Sequence, residues 1–179
     1  MISLNPGAAF GTGSHETTRL CIGQLRRYVG GGERVLDIGT GSGILGIAAL
    51  LSGARRVFAT DLDEACVEAV QENLQLNGID PEDFRLVIGN ILTDEEVRDA
   101  AGEGIYDLVT ANILAPVIIS LVESGTAARC LKPGGLFICS GIIDEKEAGV
   151  LEAFEKSGEF EVVELGADGE WRSVTALRR

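Results

Sequence analysis

The residues best suited to chemistry lie in a few short stretches, the densest being Val35-Leu36-Asp37-Ile38-Gly39-Thr40-Gly41-Ser42-Gly43-Ile44-Leu45. An apolar run reaches a carboxylate, passes through alternating glycines and enters a second apolar run. Glycine permits positive φ and lets a ligand come closer than a Cβ allows, while a helix start offers unpaired N–H groups. That is the layout of a nucleotide-cradling turn between a strand and a helix. Counted from Gly39 the spacing is G-x-G-x-G, and Ile44 stands where the dinucleotide fingerprint G-x-G-x-x-G would place its third glycine. NAD and FAD are thereby disfavoured, and S-adenosylmethionine, which carries no pyrophosphate, becomes the leading ligand. The turn of Gly39, Thr40, Gly41 and Gly43 would lie flat against its ribose and sulfonium. Asp37 has two readings. It either faces the ammonium of the methionine tail, directly or through water, or caps the turn by accepting from nearby backbone N–H groups.

Further polar residues fall where strands should end. In an open α/β sheet ligands bind beyond the carboxyl ends of the strands, and Asp37, Asp61, Asn90 and Asn112 each follow an apolar run. Asp61 is placed to accept from both ribose hydroxyls, the role an acidic residue plays here in dinucleotide sites. Asn90 would bond the adenine edge, with Leu62 and Ile91 on either side of the ring; turn chemistry is the competing explanation for Asp61 and Asn90. Asn112, in Ala111-Asn112-Ile113-Leu114-Ala115, can accept from an attacking amine through its side-chain carbonyl. Methyl transfer from a sulfonium is an in-line displacement, so positioning and desolvation supply much of the catalysis. The competing role for Asn112 is a helix N-cap. In Phe10-Gly11-Thr12-Gly13-Ser14-His15-Glu16-Thr17-Thr18 two glycines alternate with hydroxyl residues ahead of a helix. This loop is expected to fold across the ligand, with Phe10 and Thr12 covering the reacting methyl group. Thr12 is thus a catalytic and cofactor-binding candidate beside Asn112. His15, the only histidine, is expected to cap or face solvent rather than act as a base.

Elements must present these residues along one edge, and the hydrophobic periodicity supplies them. Helices are expected from Ser14 or Thr17 to Val29, Ser42 to Leu51, Asp63 to about Asn77, Thr93 to Ala101, Ala115 to Cys130 and Glu145 to Lys156. Strands are expected at Arg34–Ile38, Arg56–Thr60, Phe84–Ile88, Tyr106–Ala111 and Leu136–Ser140, with a turn at Lys132-Pro133-Gly134-Gly135. A terminal hairpin follows at Phe160–Leu165 and Trp171–Leu177. Alternating strands and helices predict an α/β fold: a doubly wound, mostly parallel seven-stranded sheet with helices on both faces and an antiparallel C-terminal hairpin. Residues 1–13 read as a leader and ligand-covering loop, and 14–179 as one domain.

Composition narrows the partners. With 15 Lys and Arg against 28 Asp and Glu the formal net charge is −13, which opposes nucleic acid, whose binding depends on cations meeting phosphates. A basic protein suits this charge better. Cys21, Cys66, Cys130 and Cys139 show no C-x-x-C pairing and read as buried, reduced thiols, and with one histidine no metal site is expected. No apolar run reaches the roughly 20 residues of a membrane span and no signal peptide opens the chain, so a cytoplasmic protein is expected.

Taken together, Asn5-Pro6-Gly7-Ala8-Ala9-Phe10-Gly11-Thr12-Gly13-Ser14-His15-Glu16-Thr17-Thr18, the loop Leu36 to Leu45, Thr60-Asp61, Ala111 to Ala115, Ser140-Gly141-Ile142 and Gly169-Glu170-Trp171 resemble the ribosomal protein L11 methyltransferase family along nearly the whole chain. The leader and the Asn-Ile-Leu-Ala segment carry that specificity, whereas the glycine loop alone says class I methyltransferase, with its Rossmann-like fold. The resemblance implies methylation of lysine side chains and the N-terminal α-amine of ribosomal protein L11, with S-adenosylmethionine as cofactor. It carries a cofactor pocket onto Thr12, Gly39, Gly41, Asp61, Asn90 and Asn112. It also implies a small N-terminal substrate-recognition domain, which is expected to be missing ahead of Met1. The alternatives are a same-core N-methyltransferase of another protein or a small molecule, or a cofactor-binding module without activity. An N-P-P-Y loop, suited to methylating planar amines, is not matched, since Ile113-Leu114 offer no aromatic to stack a flipped base.

Overall fold

A computed structural model describes residues 2–5 and 14–179 of the chain. Its strands are β1 (Arg34–Ile38), β2 (Arg56–Asp61), β3 (Phe84–Ile88), β4 (Tyr106–Asn112), β5 (Leu131–Ile143), β6 (Phe160–Asp168) and β7 (Trp171–Arg178). The helices are α1 (Glu16–Tyr28), α2 (Ile44–Leu51), α3 (Ala65–Leu76), α4 (Glu95–Ala101), α5 (Ala115–Glu123), α6 (Thr126–Cys130) and α7 (Asp144–Ser157). All seven strands join one sheet in the order β3-β2-β1-β4-β5-β7-β6. The first five are parallel, and β7 runs antiparallel to both neighbours. The predicted doubly wound sheet with its antiparallel hairpin is the observed one.

Alternation along the strands divides the core in two, because successive side chains leave a strand on opposite faces. Val35, Val57, Leu108 and Ile138 pack with α1, α2 and α3 on one face. Leu36, Phe58, Val109 and Phe137 pack with α4, α5, α6 and α7 on the other. Buried on both sides, the central strands read as continuous apolar runs. Phe137 of β5, Phe154 of α7 and Phe160 of β6 meet with ring centroids 5.4–6.2 Å apart, joining the hairpin to the parallel sheet. Helix α1 is clamped to that hairpin by Glu164, whose carboxylate accepts from Gln24 Nε2 at 2.9 Å, Tyr28 OH at 3.0 Å and Arg27 Nη1 at 3.1 Å.

Two local expectations are corrected. The single helix expected from Ala115 to Cys130 is broken into α5 and α6, because Gly125 takes a left-handed conformation (φ 71°) that ends the hydrogen-bond ladder. The turn at Lys132 to Gly135 lies inside β5 as a bulge: Leu131 pairs with Tyr106 and Leu136 with Leu108, so four residues face Asp107 alone. The Lys132 ammonium donates to Asp107 Oδ1 at 2.6 Å across this bulge. All four cysteines are buried with free thiols. No helix among the described residues is long and apolar enough to cross a membrane.

Candidate active site

The carboxyl ends of β1, β2 and β4 open onto a cleft of about 1020 Å³, lined by residues from the glycine loop, the start of α1, the loops after β2 and β3, and the start of α5. The loop is shaped from below. Gly39 and Thr40 N–H groups donate to Thr60 O at 2.8 and 3.1 Å, which pins the turn to β2. Asp37 lies beneath it at 1% exposure. Its Oδ2 accepts from Thr40 Oγ1 at 2.6 Å and Gly46 N at 3.3 Å, and its Oδ1 from Thr110 Oγ1 at 2.8 Å. Burial pushes this carboxyl above its ordinary range, against the bonds from Thr40, Thr110 and Gly46.

Of the two readings of Asp37, the turn-holding one is present in these bonds, and its side chain lies behind the residues that line the cleft. Both of its oxygens hold the turn, β4 and α2 together. Gly43 is the residue before α2, with φ 82°, and a Cβ there would face Val70, Ile47 and Phe84 in the interior. Sequence reasoning also missed a register. Counted from Gly41, the residues Gly41, Gly43 and Gly46 satisfy G-x-G-x-x-G. A Cβ on Gly46 would come within 2.5 Å of the Phe84 ring, so this glycine lets α2 pack close to the sheet. The absent third glycine is thus no argument against a dinucleotide.

Eight of the expected binding residues converge on the cleft. Gly39, Thr40, Gly41 and Asp61 line the cleft together. Asp61 Oδ2 accepts from Gly41 N at 2.8 Å and its Oδ1 from Asp63 N at 3.0 Å, which spans the loop, and the Cys66 thiol is hydrogen-bonded to the same carboxylate. Leu62, 70% exposed, and Ile91, 3% exposed, also line it. Asn90 is on the lining, and its Oδ1 accepts from Leu92 N at 2.9 Å while its own N–H donates to Asp94 Oδ2 at 2.7 Å. The turn role weighed for Asn90 is thus present, and its side-chain Nδ2 has no partner among the described residues.

Asn112 closes β4 and pairs in register with Ser140. Its Nδ2 donates to Thr18 Oγ1 at 3.3 Å, which fixes the amide orientation, and its Oδ1 has no partner among the described residues. Asn112 is not the N-cap of α5: that position is Leu114, with no side-chain cap bond. Gly141, at φ 88°, presses on the next residue, for a Cβ there would lie 2.2 Å from Ile113 O. His15 is the N-cap of α1, its Nδ1 accepting from Thr17 N at 3.3 Å, with Trp171 edge-on at a centroid distance of 5.0 Å. Burial, then Asp61, push the Cys66 thiol on the cleft wall up to about 12, so it is no nucleophile near neutral pH. Thr12 and Phe10 lie outside the described residues. Among the described residues no group of three His, Cys, Asp or Glu side chains could hold a metal ion.

Thr18, Gly141 and Trp171 were missed as site residues. Each lies inside a stretch that carries the family resemblance, so the signal existed, but a role for each needs its partner across the fold.

A family model described as ribosomal protein L11 methyltransferase (PrmA) matches residues 1–179. Similar relatives include the ribosomal protein L11 methyltransferase of Lachnospira eligens, 50% identical over 179 residues that make up 100% of this chain and 56% of that protein. That of Agathobacter rectalis is 47% identical over 181 residues, 99% of this chain and 55% of that protein. Among solved structures, the ribosomal protein L11 methylase of Lactobacillus delbrueckii subsp. bulgaricus superposes with a TM-score of 0.86 at 34% identity, covering 99% of this chain and 85% of that one. The chain spans about half the length of the curated relatives it matches.

Proposed function

This chain belongs to the ribosomal protein L11 methyltransferase family, and from that premise we propose that it transfers a methyl group from S-adenosylmethionine to amino nitrogens of a protein. The favoured acceptors are lysine side chains or the N-terminal amine, and the favoured substrate is ribosomal protein L11. The single observation that carries the reading is Asn112: an amide whose Nδ2 is tied to Thr18 and whose Oδ1 is unpartnered among the described residues, on the same cleft as the glycine loop and Asp61.

The cleft suits the nucleoside. Asp61, held by Gly41 and Asp63, lines the cleft as the acceptor for ribose hydroxyls, with the Cys66 thiol as the donor they would displace or share. Leu62 and Ile91 offer apolar walls for an adenine, Asn90 Nδ2 a donor to its edge, and Gly39, Thr40 and Gly41 the floor beneath the sugar. When bound, the cofactor's sulfonium supplies an electrophilic methyl carbon. Asn112 Oδ1 accepts an N–H of the incoming amine and thereby aims its lone pair, while the apolar lining excludes water from the reacting atoms. The chain's own contribution is to hold that amine by Asn112 Oδ1 on the cleft wall, and the proton of the methylated ammonium would be lost to solvent once the product leaves the cleft. The amine must arrive neutral, so the rate rises with pH toward the amine's own pKa.

In this reading residues 14–179 act as one catalytic unit, in the cytoplasm and on a basic protein partner that suits the chain's acidity. The test is incubation of the chain with methyl-labelled S-adenosylmethionine and a ribosomal protein extract. Label in the L11 band supports the assignment. No label in any protein band, with calorimetry still registering cofactor binding, ends the protein-substrate claim.

A further inference from the structure

Large apolar side chains that stay in water are ordinary when scattered, but two of them lie on the catalytic lip. Leu114 is 72% exposed and Val117 is 38% exposed, and both line the cleft. They are one helical turn apart, at the N-cap and in the first turn of α5, and so share a face. The interior of that same helix is well buried, with Ile118, Leu121 and Val122 at 0% exposure, so the exposed pair is not a failure of α5 to pack. Gly141 holds the segment in place from behind, since only a glycine leaves room for Ile113 O.

Reach identifies what covers this lip. A lysine side chain has four methylenes, so a protein whose amine sits at Asn112 must bring its main chain within roughly 6–7 Å of that residue, and an N-terminal amine brings it closer still. Leu114 is two residues from Asn112 and lines the same cleft, which puts it within reach of such a chain. Resting on the methyltransferase reading above, we propose that Leu114 and Val117 form a substrate-recognition lip that receives an apolar side chain next to the methylated amine in the substrate protein. The reaction thereby selects amines with an apolar neighbour, and the lip contributes to specificity without touching the reacting atoms.

The experiment uses two synthetic peptides that differ only in the residue preceding a single lysine, leucine in one and serine in the other, methylated by the wild-type chain and by Leu114→Ala. Wild type should favour the leucine peptide by roughly tenfold in kcat/KM, the effect of withdrawing one to two methylenes from water. The difference should lie mainly in KM. Leu114→Ala should cut the preference to about twofold or less, and the serine peptide should react with both enzymes at similar rates. Affinity for S-adenosylhomocysteine, read by calorimetry, should be the same in both. The proposal is overturned if wild type does not distinguish the peptides, if Leu114→Ala keeps the full preference, or if the variant loses S-adenosylhomocysteine affinity instead, which would make Leu114 a wall of the cofactor site. Methylation of neither peptide and of no protein in the extract defeats the parent reading as well, whereas labelled L11 with no peptide preference defeats the lip alone.

Discussion

Replacing Gly141 by alanine tests how the site is held in place. A Cβ at this position would stand 2.2 Å from Ile113 O, 2.9 Å from Ile113 C and 3.0 Å from Ile113 N, at a φ of 88°. Real Cβ contacts essentially never fall below 3.0 Å, so the Ile113 carbonyl must retreat by at least the 0.8 Å difference, and backbone does not swing aside as a side-chain tip does. The left-handed conformation costs an alanine about 1–2 kcal/mol and the overpacking about 1–3 kcal/mol. Gly134 separates the two: it has φ 79° with nothing within 4 Å of where a methyl would stand, so Gly134→Ala carries the conformational cost alone. For a chain of this size each kcal/mol corresponds to about 2–4 °C in Tm. Gly134→Ala should therefore lower Tm by about 2–8 °C, and Gly141→Ala by clearly more. Because Ile113 follows Asn112, a shift of that order should also cost methyl transfer about 100-fold, while Gly134→Ala leaves the rate intact. Scanning calorimetry and single-turnover methylation read both. Equal Tm values for the two variants, or full activity in Gly141→Ala, would refute the reasoning.

Asn112→Ala should lower single-turnover methylation at least 100-fold while S-adenosylhomocysteine affinity, by calorimetry, falls less than fivefold, because the Oδ1, unpartnered among the described residues, is the atom proposed to hold the amine. Asp61→Asn should weaken that same affinity by about tenfold or more, in line with the roughly 1.5–3 kcal/mol of a hydrogen bond to a charged group. Glu164→Gln tests the clamp on α1. The bonds from Gln24 chiefly, then Tyr28 and Arg27, outweigh partial burial and hold the Glu164 carboxyl below its ordinary range. A depressed folded pKa contributes stability that is present above the unfolded value of about 4.3 and is lost as pH falls through the folded value. Urea midpoints of wild type and Glu164→Gln should differ at pH 7 and draw together as pH falls below the unfolded value of about 4.3; a gap that does not narrow at all as the solution is acidified would dismiss the clamp.

The sequence by itself determined the order and type of elements and the edge on which the polar residues gather. Period-two alternation, period-3.6 stripes and glycine punctuation are local signals, which is why β1 and β3 match their expected bounds residue for residue. The same locality explains the misses. Gly125 reads as one more glycine in a helical pattern, and only the packing of α6 makes it the break. That Asp37 ties the turn to β4 is visible only once the fold brings Thr110 to its other oxygen, 73 residues away in sequence. Thr18 becomes the partner of Asn112 across 94 residues, and Gly141 matters only because β5 lies beside β4 and presses on Ile113. Composition and spacing report which groups a chain possesses, whereas which face of a carboxylate or an amide stays free depends on neighbours that only the closed sheet supplies.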